Sequence, residues 1–315
     1  MRKLISVLLL LLFAIGGCTK KADKVEKKDS LYILYATPLS EHPIWLQSKD
    51  GFEQACKEIE ANCDWIGPNV IDTIAMEDVI VQGIYEKADG IITQGVIDKE
   101  IAEKAKKAGI PLTFVDSNIK DVDKFSFYGK NFNYQAELML EEIEKTLGKN
   151  KKLIIGIQAA DLNFEIAQEQ IKEIRNVFKK HPGGFEIVSI SESKSDKVHA
   201  KSEWENELNK NPDINVTINF AAESADACGE IVDKLNRKKD IFIFGVDDMD
   251  TTISYIKKGI IDASIVTSFF EYGYLPVYQF KEYKETGNLP EQVNHNVSLI
   301  VVNKKNVDTY KEEFK

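Results

Sequence analysis

Short apolar runs alternate with helix-length amphipathic segments along this chain, and near its middle the series starts again. That alternation limits the fold more than any single motif does. The first series holds "LYILYA" (31–36), "GIITQ" (90–94) and "PLTFVD" (111–116), with helices expected near 44–60, 74–87 and 98–109. "FSFYG" (125–129) is a further extended run, and Ala136, Met139, Leu140, Ile143 and Leu147 mark one face of a helix over 132–147. Beyond "LGKNKK" (147–152) come "KLIIGIQ" (152–158), "FEIVSI" (185–190), "INVTINF" (214–220) and "IFIFGVD" (241–247), separated by helices at 165–180, 199–210 and 223–237. Parallel strands covered on both faces read as continuous apolar runs, as these do. The expected class is therefore α/β, with two doubly wound parallel-sheet lobes and a ligand cleft between them. "DASIVTS" (262–268), a helix near 271–286 and "VNHNVSLIVVN" (293–303) read as strands crossing back between the lobes through a hinge. The first lobe is expected to hold 31–130 plus about 268–290, and the second 131–267 plus about 291–315.

Residues 1–18, "MRKLISVLLLLLFAIGGC", have a basic start, an apolar run and small residues before Cys18. That pattern is a secretion signal, too short for a comfortable membrane span. Its "IGGC" ending resembles a lipobox, in which the cysteine is lipidated and becomes the mature N-terminus. "TKKADKVEKKDS" (19–30) reads as a charged, flexible tether. The expected location is extracytoplasmic, on the cell membrane, anchored through lipidated Cys18. Cys56, Cys63 and Cys228 remain. Cys56 shares an apolar stripe with Phe52, Ala55 and Ile59, so a buried free thiol is the favoured reading. A Cys56–Cys63 bridge stays open, because spacing alone does not supply its geometry.

The formal net charge is −10 and the lysines are interspersed with acids, which leaves no basic patch for nucleic acid. In open α/β sheets, ligands bind off the carboxyl ends of the strands. The residues that follow each strand are Ser40–His42–Trp45, Gln94, Asp116–Ser117, Asp161–Asn163, Glu223 and Asp247–Asp248. They are carboxylates and amides with one indole, and no cationic cluster for phosphate. Asp161 also reads as a cap on the next helix in "AADLNFEIAQEQ". His42, His181, His199 and His295 are scattered without an HxxxH pattern. Asp247, Asp248 and Asp250 lie close together, but position 12 from Asp247 is Lys258, where a calcium loop closes with Glu. No GxSxG, P-loop or GxGxxG motif occurs. Neither catalysis nor a metal or cofactor is expected. A hydrolase or lyase using Asp247–Asp248 as metal ligands is the competing class.

Three stretches, in this order, resemble the type I periplasmic solute-binding proteins of the ribose, xylose and galactose group. "HPIWLQSKDGFEQACKE" is similar to that family's first-helix signature. "AKKAGIPLTFVDS" matches an element that places Asp116 at the family's first hydroxyl-binding aspartate. "IFIFGVDDMDTTISYIKKGIIDASIVTSFFEYG" matches one that places Asp247 at the second. The resemblance covers nearly all of 31–303. It implies that Trp45 stacks on the C–H face of a sugar-like ligand while His42 bonds a hydroxyl, the alternative for Trp45 being core between the lobes. Ionised Asp accepts from hydroxyls through charge-assisted bonds. Lys130, at a family pocket position, reads as a ligand contact, a hinge residue or a solvated lysine. The departures are specific. Ser117 and Gln170 stand where the ribose-type pattern has arginines, Ala221 or Ala222 followed by Glu223 where it has an amide, and Thr267 where it has glutamine. What remains is acidic, fitting another neutral polyol or a ligand with positive charge.

The resemblance implies a binding module, not an enzyme. It would capture a small polar ligand, a monosaccharide or related polyol, through His42, Trp45, Gln94, Asp116, Lys130, Asp161, Glu223, Asp247 and Thr267. The closed form would be recognised by an ABC permease or, alternatively, by a membrane histidine kinase.

Overall fold

The computed structural model describes residues 30–314. The expected secretion signal, the expected lipidation of Cys18 and the expected tether up to residue 29 fall outside the described residues.

The apolar runs form two six-stranded sheets, as the alternation requires. The first contains β1 (Tyr32–Ala36), β2 (Asn62–Ile66), β3 (Gly90–Gln94), β4 (Leu112–Asp116), β5 (Ser126–Gly129) and β11 (Asn294–Asn296), in the order β11-β5-β4-β3-β1-β2. The second contains β6 (Leu153–Ala159), β7 (Phe185–Glu192), β8 (Val216–Asn219), β9 (Phe242–Val246), β10 (Ala263–Thr267) and β12 (Leu299–Asn303), in the order β12-β10-β9-β8-β6-β7. All pairings are parallel except that of β10 with β12. β3 and β4 are buried at every position, which is why their sequences show no alternation.

Two elements carry weaker signals. β2 ("NCDWI") is an edge strand with alternating burial, and only one of its faces needs apolar residues. The nine-residue α8 (Asp250–Lys258) buries only Thr252 and Ile256. Neither offers a long apolar pattern to read.

Helix starts follow local chemistry. α1 (Pro43–Glu58) opens with Pro43, whose missing N–H costs nothing there, and His42 caps it by accepting the Ile44 N–H at Nδ1 (3.3 Å). Asp72, Asp98 and Asn131 cap α2 (Thr73–Tyr85), α3 (Lys99–Lys107) and α4 (Phe132–Leu147) through side-chain oxygens. In the second lobe, Asp196 does the same for α6 (Lys197–Lys210).

The free-thiol reading of Cys56 is corrected: Cys56 and Cys63 are disulfide-bonded and tie the end of α1 to β2, while Cys228 is free and buried. The stripe that buries Cys56 also points it at the edge strand, where Cys63 waits. The lobe boundary is corrected as well. Asn294–Asn296 pair with β5, and Val297 packs into the first-lobe core, so the second lobe resumes at Ser298 rather than near 291. The chain therefore crosses at 130–131, at 267–269 and at 297–298. These crossings are bonded together: Val297 N–H donates to Gly129 C=O (2.9 Å) and Ser268 N–H to Ser298 C=O (3.0 Å).

α9 (Phe269–Thr286) closes the first lobe against α1. The two backbones meet at Gly51 and Gly273. A Cβ on Gly273 would strike the Ser48 carbonyl and lie 2.6 Å from the Phe52 nitrogen. Gly273→Ala should separate the helices and lower the melting midpoint by several degrees, a typical result when a packed site is overfilled by about 1–3 kcal/mol. Calorimetry without ligand checks this, and an unchanged midpoint would show that the contact yields easily.

Candidate functional site

A cavity of about 110 Å³ lies between the carboxyl ends of the two sheets, sized for one compact molecule. Eight of the predicted side chains line it: His42, Trp45, Gln94, Asp116, Lys130, Asp161, Glu223 and Asp247. Thr267, expected with them, does not. It is buried at the end of β10, beside Leu299 of the antiparallel strand.

Two aspartates dominate, one per lobe. Asp116 ends β4 with φ +60° and Asp247 follows β9 with φ +62°, both in the left-handed region that few residues other than glycine, Asn and Asp occupy readily. Such strained positions concentrate at functional sites. For Asp247 the surroundings hold it there: its N–H donates to Ile265 C=O (3.1 Å) and its C=O accepts from the Ser264 hydroxyl (2.6 Å).

Their pairing differs. Asp116 lies in register with Gly129, so Lys130 follows beside it, and Nζ reaches Oδ1 at 2.7 Å with both side chains buried. Gln94 Nε2 donates to Oδ2 (2.8 Å), and the Tyr272 hydroxyl donates to Oδ1 at 3.4 Å. Burial alone would pull the proton off Lys130, but Asp116 and Asp247 outweigh it and hold the ammonium above its usual range. Lys130 is thus no solvated lysine. Asp247 has no such set of partners, and its Oδ1 has no hydrogen-bond partner among the described residues. Burial, only partly offset by Lys130 and reinforced by Asp116, Asp248 and Glu223, pushes its carboxyl up to about 7. Glu223 precedes α7 (Ser224–Lys234). Burial raises its pKa too, and its Oε1 is also without a partner among the described residues.

The remaining walls are aromatic. Trp45 is 6% exposed and meets Phe269 edge-to-face at 5.3 Å, so it belongs to the first-lobe core and to the cavity wall at once. Burial lowers the His42 ring's pKa, consistent with a neutral acceptor at Nδ1. Phe164, Phe220 and Phe269 also line the cavity. Phe220 and Phe269 follow directly on β8 and on the second crossing, so the strand-end rule would have found them had they not read as core. Gln170, at one of the lost arginine positions, lines the wall and donates to Gln135 (3.1 Å).

Asp161 is not a helix cap. Its Oδ1 accepts from Asn163 N–H (2.8 Å) in the loop before α5 (Glu165–Phe178), and its Oδ2 pairs with Lys194 (2.9 Å). Asp247 and Asp248 diverge: Asp248 accepts from Gln47 of α1 across the cleft (2.7 Å) and from the Tyr310 hydroxyl (2.7 Å). No group of three or more His, Cys, Asp or Glu suited to a metal occurs among the described residues. Lys120 joins the lobes again through Glu165 and Glu169, the latter at 2.9 Å. Ala222 of the second lobe packs into the first-lobe core.

The raised carboxyl of Asp247 sets a pH dependence. A group whose pKa is higher folded than unfolded adds stability that is complete below about 3.8 and is lost as pH rises through about 7. Without ligand, Asp247→Asn should therefore be more stable than the parent at pH 8, by up to about 4 kcal/mol, and lose that advantage progressively as pH falls from about 7 to below about 3.8. Paired melting curves across that range measure it, and a constant difference would deny the shift. Gln47 touches no cavity wall, so Gln47→Ala should leave the walls intact and release ligand about fivefold faster, the effect of roughly one hydrogen bond lost from the closed state. Stopped-flow dissociation reads this directly, and an unaltered rate would show that the bond does not hold the lobes.

Comparison with known proteins agrees with this geometry. The model of the periplasmic binding protein domain matches residues 33–288. XylF of Sulfolobus acidocaldarius, a xylose/arabinose-binding protein, is 22% identical over 297 residues, covering 88% of this chain and 72% of XylF. GanP of Geobacillus stearothermophilus, a glucose-galactose binding protein, has the same fold, with a TM-score of 0.82, 24% identity and coverage of 89% of this chain and 100% of GanP. XylFII, solved as a XylFII–LytSN complex, gives a TM-score of 0.79 and 25% identity over 88% of this chain and 98% of the other. The two parallel-sheet lobes, the cavity at their strand ends and the matched domain give one conclusion: this chain belongs to the periplasmic binding protein family.

Proposed function

We propose that the protein captures one small sugar-like molecule, a monosaccharide or related polyol, by closing its lobes outside the cytoplasm, tethered to the membrane by lipidated Cys18, and delivers it to an ABC permease. The observation that carries this reading is the convergence of eight strand-end side chains from both lobes on one compact cavity. Carboxylates and amides there accept and donate to hydroxyls, and Trp45 offers a ring face to a C–H surface. The sugar-binding names of XylF and GanP support the ligand class. The Cys56–Cys63 bridge suits an oxidising, extracytoplasmic compartment. Micromolar affinity needs only about −8 kcal/mol, within reach of several hydroxyl bonds and one stacked indole.

A second reading, signalling through a membrane histidine kinase, is favoured by the likeness to XylFII as solved in the XylFII–LytSN complex. Deleting the gene separates the two. Lost uptake of labelled ligand means delivery to a permease, whereas lost transcriptional response with intact uptake means signalling.

The ligand reading is tested by melting the purified protein with pentoses, hexoses, polyols and nucleosides. A ligand at a thousandfold excess over Kd adds about 4 kcal/mol, raising the midpoint by roughly 10 °C. Asp247→Ala should abolish that rise without lowering the ligand-free midpoint. A silent panel would defeat the sugar-like reading, and a drop in ligand-free stability would make Asp247 a structural residue.

A further inference from the structure

Among the residues lining the cavity are five carboxylates, Asp72, Asp116, Asp161, Glu223 and Asp247, and a single ammonium, Lys130. Three of the five are already engaged. Asp72 accepts the Ala75 N–H at the start of α2, Asp161 is paired with Lys194, and Asp116 holds Lys130. Glu223 accepts from Ser193 but keeps Oε1 without a partner, and Asp247 Oδ1 has none either, among the described residues. Each residue is 6% exposed, lines the cavity and holds one buried oxygen without a partner among the described residues. They follow the neighbouring strands β9 and β8, so both stand on the second-lobe wall.

Resting on the sugar-like reading above, we infer that the ligand carries an ammonium group: the cavity takes an aminated monosaccharide or polyol in preference to its neutral parent. Hydroxyls can satisfy the two free oxygens as hydrogen-bond acceptors, but they leave the buried charge uncompensated. An ammonium supplies three donors and a counter-charge together. The losses of positive charge point the same way. Ser117 is buried against Gly95, and Gln170, on the cavity wall, bonds Gln135; neither residue carries charge. The Phe269 ring already has the Lys130 ammonium over it at 5.6 Å, and Trp45 on the same wall is the ring left to favour a ligand cation or a C–H face. Burial disfavours the charged form of both carboxyls, and an ammonium beside them would restore it.

Titration calorimetry on the purified protein tests the inference with the 2-amino-2-deoxy forms of D-glucose, D-galactose and D-xylose, the three parent sugars and N-acetylglucosamine. At least one amine should bind thirtyfold or more tighter than its parent, and N-acetylation should remove the advantage. Glu223→Gln, which keeps the side chain's shape, should cut the ratio of amine to parent affinity at least tenfold. Parents binding as tightly as their amines would overturn the inference and leave the sugar-like reading standing. Failure of every sugar, aminated or neutral, would overturn both. A preference that survives Glu223→Gln intact would overturn the assignment to these carboxylates.

Discussion

The buried pair of Lys130 and Asp116 governs the rest of the cleft. An ammonium that deep is tolerated only because Asp116 lies beside it in register and because Gln94 and Tyr272 hold that carboxylate in place. Lys130 is also the first residue after the β5 strand end, and Gly129 before it accepts the Val297 N–H of the third crossing. The charge that balances the first-lobe aspartate is therefore attached to the hinge and stays with the first lobe when the lobes move. Asp247, on the other lobe, meets this pair as a unit. Attraction from Lys130 is opposed by repulsion from Asp116, and burial decides the carboxyl's protonation.

A pseudo-symmetric design with asymmetric pairing follows. Both lobes end a buried strand in an aspartate of positive φ, the conformation that turns the side chain off the sheet edge into the cleft. In the first lobe that aspartate is fully partnered by protein. In the second it keeps a free oxygen, as does Glu223. The first lobe is rigid in the same region: the α1–α9 contact at Gly51 and Gly273 sets Trp45 against Phe269, and the disulfide fixes the far end of α1. One wall is thus preorganised and the other awaits donors.

Periodicity carried the strands and most helices, because doubly covered strands must be apolar throughout and their helices amphipathic. It failed at β2 and α8, where little surface is buried. It also missed the split of "VNHNVSLIVVN" into β11 and β12, since an extended run does not announce that its halves join different sheets. The strand-end rule located most of the cavity, because in this topology position alone brings those residues together. What it could not show was pairing. Nothing in the string "VDS" tells that Asp116 is satisfied by Lys130, fourteen residues on, nor in "VDD" that the first aspartate faces the cavity while the second bridges to Gln47. Thr267 was carried by resemblance rather than by a strand-end argument, and it falls outside the lining. The Cys56–Cys63 bond needed the edge strand that periodicity had not revealed.

On the proposed reading, closure and recognition become the same event. Bringing the lobes together removes Asp247 and Glu223 from water, and without donors each stranded oxygen costs about 1–3 kcal/mol. Against that, among the described residues, stand Gln47 to Asp248, the packing of Ala222 into the first-lobe core and the exposed pairing of Lys120 with Glu165 and Glu169. Exposed ion pairs contribute little. On the proposed reading, this balance would leave the closed form a minor state until a ligand supplied the missing donors, and a few kcal/mol of such differential binding is enough to reverse two populations. The carboxylates of Asp247 and Glu223 would then both select the ligand and oppose closure without it.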